Sequence, residues 1–355
     1  MHDGGGYSMN GRNPYVISFG RIPTQYISRA VMIDSIIETL DSDIVDEQAF
    51  KLTGIRGTGK TVTLTAIEKA ILKDDRWIVV RLKSGSNLTE DLVAQLYSAV
   101  PLITSFVDAE LNLSKFGIGL NLKTKSPVAS LDFALEQILG HLKKKGKKVL
   151  VTIDEARKTA SMIDFIQEFQ ILIRADMPIY LITAGLYEDI ESIENTDGLT
   201  FFLRATKYEM TPLNMTLIKS DYEKTLGVSL EVAEEMTILT KGYPFAYQAL
   251  GKFMWDTESD HITEEVLALL DEALAEKVYD KIWSELAPND KYFLQFLSQK
   301  DKMPVSELLA ITGKKHNEWS EPRKRLSKKG IIDVKTRGKI ILRLPRLKEF
   351  VEQQY

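Results

Sequence analysis

The sequence predicts an α/β fold built on a parallel sheet with helices on both faces. Between residues 13 and 213, short apolar runs rich in β-branched residues alternate with stretches of helical periodicity. Strands that alternate with helices in this way are typical of parallel sheets. A glycine-rich loop follows the first of these runs, and two adjacent carboxylates lie near the end of the third. The residues after 213 carry helical patterns and a final hairpin, which predicts a second part of the chain with a different architecture.

Five strands are expected in the sheet. Helical patterns follow the first two of them. A stretch in which polar and apolar residues alternate, 115–127, predicts an inserted hairpin or loop. The expected strands are residues 49–55, 77–83, 148–156, 178–185 and 206–213.

Three further segments complete the predicted organisation. Residues 1–12 contain a run of glycines and are expected to form a flexible leader. The pattern is helical throughout residues 214–286, which predicts a small all-helical domain after the sheet-containing core of residues 13–213. Residues 287–355 predict three short helices and then two strands around a turn, which is the layout of a winged helix-turn-helix.

The composition excludes several classes of site. The 355 residues contain no cysteine, so disulfides, thiolate metal sites and cysteine nucleophiles are excluded. No segment approaches the ~18 consecutive apolar residues that a membrane span needs. The first residues lack the apolar stretch of a secretory signal. We therefore expect a cytoplasmic protein without membrane contact.

Charge is distributed unevenly along the chain. The net charge is −4, but residues 291–355 contain 16 lysines and arginines against 7 aspartates and glutamates. The residues before them contain 30 basic and 43 acidic side chains. This asymmetry indicates a basic C-terminal module attached to an acidic body, and it favours an anionic partner.

The loop after the first predicted strand, residues 54–61 with the sequence GIRGTGKT, fits the phosphate-binding pattern G-x-x-x-x-G-K-[ST]. Glycine allows backbone conformations that other residues avoid, so the loop amides can converge on an anion at a helix N-terminus. The pattern predicts that Lys60 contacts the β- and γ-phosphates of ATP and that the Thr61 hydroxyl ligates Mg²⁺. The predicted nucleotide contacts are Gly54, Gly57, Thr58, Gly59, Lys60, Thr61 and Val62.

The third predicted strand leads into Asp154 and Glu155. Two charges at the end of a buried strand are costly unless they are exposed or paired. Downstream of a phosphate loop, we expect Asp154 to hold the Mg²⁺ shell and Glu155 to orient and deprotonate the attacking water. This arrangement predicts hydrolysis of ATP rather than phosphoryl transfer to a small molecule. The alternative is an ordinary solvated Asp–Glu turn.

Three weaker candidates follow the carboxylate pair. Thr183, at the end of the fourth predicted strand, either touches the γ-phosphate or the attacking water, or is a buried strand threonine. Arg204 precedes the fifth strand and is either an arginine finger for the nucleotide of a neighbouring subunit or a solvated surface side chain. Pro244 follows Gly242 and Tyr243 at a helix start, where proline needs no functional explanation.

Taken together, these segments resemble P-loop ATPases between the AAA+ and STAND classes, and they are most similar to ATPases related to archaeal origin-recognition initiators. The motifs GIRGTGKT and VTIDEA match the family's two ATP motifs, and the segments NPYVISFGRIPTQYISR, YEMTPLN, GYP and RKRLSKKGIIDV extend the resemblance over nearly the whole chain. The resemblance implies a P-loop NTPase sheet with strand order 5-1-4-3-2, a helical lid and a winged helix. It also implies an N-terminal arm that packs on the adenine and a lid proline near the base; the residues concerned are Ile27, Arg29 and Pro244.

Two positions depart from the family pattern. Many AAA+ lids carry a second sensing arginine where this chain has Pro244 or Phe245. Thr183 stands in place of an asparagine that is common in AAA+ sensors. Both departures favour a slow nucleotide switch over fast constitutive turnover.

Basic residues cluster on and just after the last predicted helix of the winged helix and around the turn of its hairpin. Lysine and arginine on both elements are what contact with DNA phosphates requires, and the helix offers few residues suited to reading bases. The alternative is a soluble helix face, on a winged helix that packs against protein. The residues expected on DNA are Arg323, Arg325, Lys329 and Arg337.

The sequence is consistent with three different functions. The first is an ATP-hydrolysing, Mg²⁺-dependent switch that associates with double-stranded DNA and self-associates, with an arginine finger supplied in trans. The second is a STAND-type signalling or defence ATPase whose winged helix contacts protein. The third is a nucleotide-binding scaffold without useful hydrolysis.

Overall fold

The computed structural model describes residues 11–18, 23–42, 47–99 and 131–355. These residues form two compact units. Unit 1 contains the described residues of Met1–Arg29, Gly54–Val62 and Met210–Tyr355, and unit 2 contains those of Ala30–Thr53 and Thr63–Glu209. Most of the predicted leader and the whole predicted insertion at 115–127 lie outside the described residues.

Unit 2 is built on a five-stranded sheet in which every strand pair is parallel. The strands are β1 (Ala49–Thr53), β2 (Trp77–Lys83), β3 (Lys148–Asp154), β4 (Ile179–Gly185) and β5 (Thr206–Glu209). Their order across the sheet is β2-β3-β4-β1-β5. This is the order 5-1-4-3-2 read from the opposite edge, so the predicted α/β fold class is confirmed.

Three strands end earlier than the segments that predicted them. β1 ends at Thr53, where the glycine-rich loop begins, β3 ends at Asp154, and β5 ends at Glu209. The apolar side chains that follow β5, Met210 and Leu213, are buried within unit 1 instead. There the Leu213 amide donates a hydrogen bond to the carbonyl oxygen of Gly242 at 2.8 Å. The difference arises because an apolar run by itself does not distinguish a strand from another buried segment.

Unit 2 contains seven helices among its described residues. They are α1 (Ala30–Asp41), α2 (Lys60–Ile71, whose first residues belong to unit 1), α3 (Leu88–Ala99), α4 (Leu131–Lys144), α5 (Ala160–Arg174), α6 (Tyr187–Glu194) and α7 (Thr200–Arg204). Of these, α3 to α7 pack their apolar faces into one core with the sheet. In α5 the Thr159 hydroxyl caps the first turn by accepting a hydrogen bond from the Met162 amide at 3.1 Å. Burial in this helix recurs at helical spacing, at Met162, Phe165, Ile166, Phe169 and Leu172.

The parallel strands bring their carboxyl ends to one edge of the sheet. In the strand register, Thr183 of β4 lies between Lys51 of β1 and Ile153 of β3. Asp154, the next residue of β3, therefore lies at the same carboxyl-terminal end of the sheet as Thr53, the last residue of β1. Ligand-binding residues of open α/β sheets collect at this edge.

Unit 1 contains a group of helices that occupies most of the segment predicted to be all-helical. These are α8 (Met215–Leu226), α9 (Leu230–Thr240), α10 (Pro244–Asp256), α11 (Glu264–Leu274) and α12 (Asp280–Ser284). α8 begins at the cap Asn214, whose side chain accepts hydrogen bonds from two amides of the first turn, and it ends at Gly227 in the left-handed conformation. A π-helical turn, Ala275–Tyr279, joins α11 to α12.

The C-terminal module, residues 288–352, follows these helices in unit 1. Its elements are α13 (Pro288–Leu297), β6 (Lys302–Pro304), α14 (Val305–Thr312), a 3₁₀ turn (His316–Trp319), α15 (Ser320–Lys328), β7 (Ile332–Asp333), β8 (Lys339–Leu342) and α16 (Leu347–Glu352). β8 pairs antiparallel with both β6 and β7. The three helices and the hairpin follow the predicted order, and β6 adds a short strand that the sequence pattern did not predict.

Polar contacts join the C-terminal module to the helices before it. The Arg346 guanidinium donates two hydrogen bonds to the Asp271 carboxylate of α11. The bond from Nε to Oδ1 has a length of 2.6 Å. Lys241, at the end of α9, donates to Asp301 at 2.8 Å. These contacts cross between segments that also share one hydrophobic core, so the module and the helices form a single packed body.

Candidate functional site

The loop between β1 and α2 is held in its conformation by glycine. Gly57 and Gly59 have φ values of 74° and 84°, in the left-handed region that favours glycine. The space around Gly57 also excludes a side chain. A Cβ atom at this position would overlap the Tyr243 hydroxyl and would lie 2.8 Å from the Cζ atom of Tyr243. A side chain at this position would therefore be excluded both by backbone conformation and by the close approach of Tyr243.

Side chains of the loop bond back to its own backbone. The Thr58 hydroxyl donates to the carbonyl oxygen of Ile55 at 2.8 Å. The Lys60 ammonium donates to the carbonyl oxygens of Gly54 and Ile55 at 2.8 and 3.0 Å. These bonds keep the positive charge of Lys60 over the loop, where it reinforces the positive end of α2.

The helical part of unit 1 contacts the loop through Tyr243 and the first turn of α10. The Tyr243 hydroxyl donates to the carbonyl oxygen of Arg56, and the Phe245 amide donates to the carbonyl oxygen of Gly57 at 3.2 Å. A Cβ atom on Gly59 would lie 3.9 Å from Pro244. Burial raises the pKa of the Tyr243 hydroxyl well above its usual range, which keeps it a neutral donor.

The N-terminal arm also contacts the loop. The Arg29 guanidinium donates to the carbonyl oxygen of Thr58 at 3.2 Å. Ile27 is buried in the same hydrophobic cluster as Ile55 and Tyr243. The sequence therefore identified residues of the arm and the lid that do lie beside the loop, and their contacts with adenine stay a prediction.

Two residues beside the loop and one within it were not assigned a role at the nucleotide site from the sequence. Tyr243 and Phe245 bond to the loop backbone as described, and Arg56 of the loop pairs with Glu285 at 3.3 Å. The only signal was the position of Tyr243 between a glycine and a proline. This position does not indicate which distant backbone group the tyrosine hydroxyl will bond to.

The carboxylate pair lies in a turn at the end of β3. Asp154 accepts a hydrogen bond from the Glu155 amide at 2.9 Å. Glu155 has φ 51°, a conformation that costs a residue with a side chain on the order of 1 kcal/mol. The next amide, of Ala156, donates to the carbonyl oxygen of Ala184 at 2.8 Å, which returns the chain to the neighbouring strand. The turn leaves the Glu155 side chain exposed, 3.7 Å from Arg157.

Local strain of this kind is found at functional sites more often than elsewhere. In the described parts of the chain, no group of three or more histidine, aspartate or glutamate side chains is arranged to hold a metal ion. In nucleotide sites Mg²⁺ is usually held by one or two protein oxygens together with phosphate oxygens and waters. Thr61 and Asp154 stay the predicted protein ligands of Mg²⁺.

The two weaker candidates of unit 2 have different surroundings. Thr183 is completely buried, and its hydroxyl donates to the carbonyl oxygen of Phe50 at 3.4 Å. This burial agrees with the strand-threonine alternative, and a catalytic role for Thr183 stays a prediction. Arg204 is exposed as the last residue of α7, directly before β5.

The basic residues of the C-terminal module fall into two groups. Arg325 of α15 is paired with the buried Asp290 of α13 through hydrogen bonds of 2.6 to 3.0 Å, and this pairing raises its pKa. Arg337 is exposed in the turn before β8, and Arg323 and Lys329 are partly exposed. Arg325 thus has a structural partner, whereas its predicted contact with DNA stays a prediction.

Comparison with solved structures places this geometry in a known fold. The Aeropyrum pernix ORC2 protein, in its ADPNP-ADP complexes, superposes with a TM-score of 0.58 at 13% identity, over 95% of this chain and 96% of that chain. The chain therefore has the fold of this ORC2 protein. The predicted resemblance to origin-recognition initiators is therefore confirmed at the level of the fold.

Two further solved structures superpose on the chain with lower scores. Cdc6p from Pyrobaculum aerophilum gives a TM-score of 0.49 at 14% identity, over 95% of this chain and 96% of its own. The Aeropyrum pernix ORC1 protein in complex with DNA gives 0.45 at 14% identity, over 93% and 92%.

The sequence comparisons add one match. A family model described as a domain of unknown function (DUF8462) matches residues 276–351, which include the C-terminal module apart from its last residue. No curated protein matches the chain. Across the described residues, none of the helices combines the length and the apolar character needed to cross a membrane.

Proposed function

We propose that this chain is an ATP-binding and ATP-hydrolysing nucleotide switch of the AAA+ type. The observation that carries the proposal is the loop of residues 54–61, with its two left-handed glycines and the Lys60 ammonium held over it. The arm residue Arg29 and the lid residue Tyr243 both bond to the backbone of this loop. A loop that is contacted by both an arm and a lid within one unit suits a nucleotide switch. A nucleotide bound to the loop would change the hydrogen bonds that the arm and the lid make there, and would so favour one arrangement of these segments over another.

The loop amides and Lys60 are proposed to bind the phosphates of ATP. Thr61 and Asp154 would hold Mg²⁺, which when bound neutralises charge on the phosphate oxygens. Glu155 is exposed at the end of β3 and would accept the proton of the attacking water. Arg29, Ile27 and Pro244 are proposed to surround the adenine, since they belong to the arm and lid segments that meet the loop.

The C-terminal module is proposed to contact double-stranded DNA. Exposed and partly exposed lysines and arginines lie on and just after α15 and around the turn before β8, the two elements that a winged helix presents to a duplex. Arg323, Lys329 and Arg337 are the residues proposed to contact phosphates, and Arg325 would do so while it stays paired with Asp290. The second candidate is a STAND-type signalling switch in which the same surface binds protein.

The decisive experiment is a measurement of phosphate release from ATP by the wild-type chain, with Mg²⁺ and with EDTA. We expect slow, Mg²⁺-dependent release. A chain that binds ATP but releases no phosphate would refute the hydrolysis and favour the nucleotide-binding scaffold. Fluorescence anisotropy with a labelled duplex across a salt series separates the DNA-associated switch from the signalling ATPase, which is expected to show no binding even at low salt.

A further inference from the structure

The N-terminal arm, described at residues 13–18 and 23–29, is bonded to one helix of unit 1, α10. The buried side chain of Gln248 accepts a hydrogen bond from the Val16 amide at 2.9 Å and donates one to the carbonyl oxygen of Gln25 at 2.7 Å. About two helical turns further along α10, the Asp256 carboxylate accepts a hydrogen bond from the Asn13 side chain at 2.7 Å. Two separate places of the arm are therefore fastened to the same helix.

Tyr15 of the arm packs against both α8 and α10. Its hydroxyl donates to the Asp221 carboxylate of α8 at 2.8 Å, and the Tyr247 hydroxyl of α10 donates to the same oxygen at 2.6 Å. The second oxygen of Asp221 accepts a hydrogen bond from Thr225 at 3.2 Å. Burial, and then the charge of Asp221, raise the pKa of the Tyr15 hydroxyl, which therefore stays a protonated donor.

Gly251 leaves the space that the Tyr15 ring occupies. It lies in the interior of α10, where glycine is less favourable than alanine for the helix itself. A Cβ atom on Gly251 would lie 2.6 to 2.8 Å from three atoms of the Tyr15 ring. The close approach of the arm, rather than the backbone of the helix, is therefore what requires a glycine at this position.

The contacts of Tyr15, Asp221 and Gln248 form what we call the arm clasp. Apolar side chains in the same place would remove surface from water without the cost of burying a hydroxyl, an amide and a carboxylate. A buried polar network whose members all have partners specifies one arrangement of the segments that carry it. The polar groups of the arm clasp are therefore suited to fixing the position of the arm as well as keeping it on the surface of the helix.

The end of the arm is held on both sides. Gln25 is bonded to α10, and four residues later the Arg29 guanidinium donates to the carbonyl oxygen of Thr58 in the phosphate loop at 3.2 Å. Ile27 lies between these two bonds and is buried. A segment that is already fixed at both ends loses little conformational entropy when a ligand binds beside it.

We propose that the arm clasp holds Ile27 and Arg29 in place before a nucleotide binds, and thereby slows the release of the nucleotide from this site. The inference rests on the proposed function, which takes Ile27 and Arg29 as residues that surround the adenine. Tyr15, Asp221 and Gln248 are positioning residues, because they act through the end of the arm. An arm without the clasp has to be ordered each time a nucleotide binds, and this cost weakens the binding.

The first test loosens the arm with Gly251→Ala. The added methyl group overlaps the Tyr15 ring, whereas alanine suits the helix itself better than glycine does. We expect the amides of Val16 and of residues 24–29 to exchange with deuterium about tenfold faster in this variant without nucleotide. Gly140→Ala is the matched control, since Gly140 lies within α4 and has nothing within 4 Å of an added Cβ atom. Exchange in the arm should stay at the wild-type rate in the control.

Gln248→Leu loosens the arm without adding volume. Leucine has a similar size but makes neither of the two hydrogen bonds from Gln248 to the arm. We expect the same acceleration of exchange at Val16 and at residues 24–29, and circular dichroism checks that both variants keep their helices. Wild-type exchange of these amides in both Gly251→Ala and Gln248→Leu would overturn the positioning role.

The second test compares ATP with inorganic tripolyphosphate, which carries phosphate groups but no base. Stopped-flow release of a fluorescent ATP analogue is expected to be about tenfold faster in the two variants than in the wild type. Competition against this analogue measures the affinity for tripolyphosphate, which should not change, because the loop is intact. A general loss of structure would weaken the binding of both ligands. Equal weakening of both ligands, or release of the analogue at the wild-type rate, would overturn the proposal.

These outcomes distinguish the inference from the function on which it rests. A wild-type chain that binds neither ATP nor tripolyphosphate would refute the proposed function, whatever the exchange rates in the arm. A wild type that binds ATP, together with variants that exchange or release as the wild type does, would refute only the role of the arm clasp.

Discussion

The Tyr243 hydroxyl donates a hydrogen bond to the carbonyl oxygen of Arg56, although 187 residues separate the two along the chain. The bond ties the start of α10 to the glycine-rich loop. It also explains the glycine at position 57, since the tyrosine ring occupies the space that a side chain would need. The loop and the start of α10 are therefore in direct contact, which can be tested by substitution.

Gly57→Ala is expected to lower the free energy of unfolding by about 2 kcal/mol or more, because alanine meets both an unfavourable φ and the Tyr243 ring. Gly313→Ala is a matched control within the same unit, since Gly313 has φ 64° but nothing within 4 Å of an added Cβ atom. The control should lose only about 1 kcal/mol. Chemical denaturation measures both losses, and equal losses would contradict the steric role of Tyr243.

Lys60→Ala is expected to abolish ATP binding while the chain stays folded. The substitution removes the ammonium group that lies over the loop and that would pair with the β- and γ-phosphates. Isothermal titration calorimetry measures the affinity, and circular dichroism checks the fold. Lys69→Ala, which removes an exposed lysine further along α2, should bind ATP as the wild type does. Unchanged affinity in folded Lys60→Ala would rule out this loop as the phosphate site.

Glu155→Gln is expected to bind ATP normally and to hydrolyse it about 10²–10⁴-fold more slowly, because an amide does not accept the proton of the attacking water. Single-turnover phosphate release measures the chemical step. Asp197→Asn, which neutralises another exposed carboxylate of unit 2, serves as the control and should hydrolyse at the wild-type rate. Hydrolysis by Glu155→Gln at the wild-type rate would show that Glu155 is not the base.

Replacing Arg323, Lys329 and Arg337 together by alanine is expected to weaken binding to unrelated DNA duplexes about equally. Each lost phosphate contact should flatten the plot of log affinity against log salt by about 0.9. Fluorescence anisotropy over a salt series measures both effects. ATP affinity is the internal control and should not change, because the substitutions leave the loop intact. A salt slope identical to that of the wild type would mean that these residues do not contact DNA.

Arg325→Ala is expected to destabilise the C-terminal module by about 2 kcal/mol, because it leaves the buried Asp290 carboxylate without its guanidinium partner. Thermal unfolding, followed by tryptophan fluorescence, measures the loss. The double variant Arg325→Ala/Asp290→Ala should recover part of it, since no buried charge is then stranded. A single variant as stable as the wild type would show that the pair contributes nothing to the module.

Some features of this protein were predicted from short segments of the sequence. The apolar runs of the five strands, the glycines of the loop and the carboxylates at the end of β3 are local signals, because backbone periodicity and glycine conformation depend on neighbours in the chain. The order of the strands was expected from the resemblance to a family, and the structure confirms it. The end of β5 was predicted four residues too late, since apolar character shows that a residue is buried but not which unit buries it.

Other features were decided by the tertiary structure alone. The sequence marks Arg325 and Lys51 as basic residues, but only the packing of α13 against α15 gives Arg325 the carboxylate of Asp290, and only the sheet order puts Lys51 under the end of α7. The physical reason is the same in each case. A hydrogen bond needs its two atoms within about 3 Å, and a separation of tens or hundreds of residues along the chain does not fix that distance until the elements have packed.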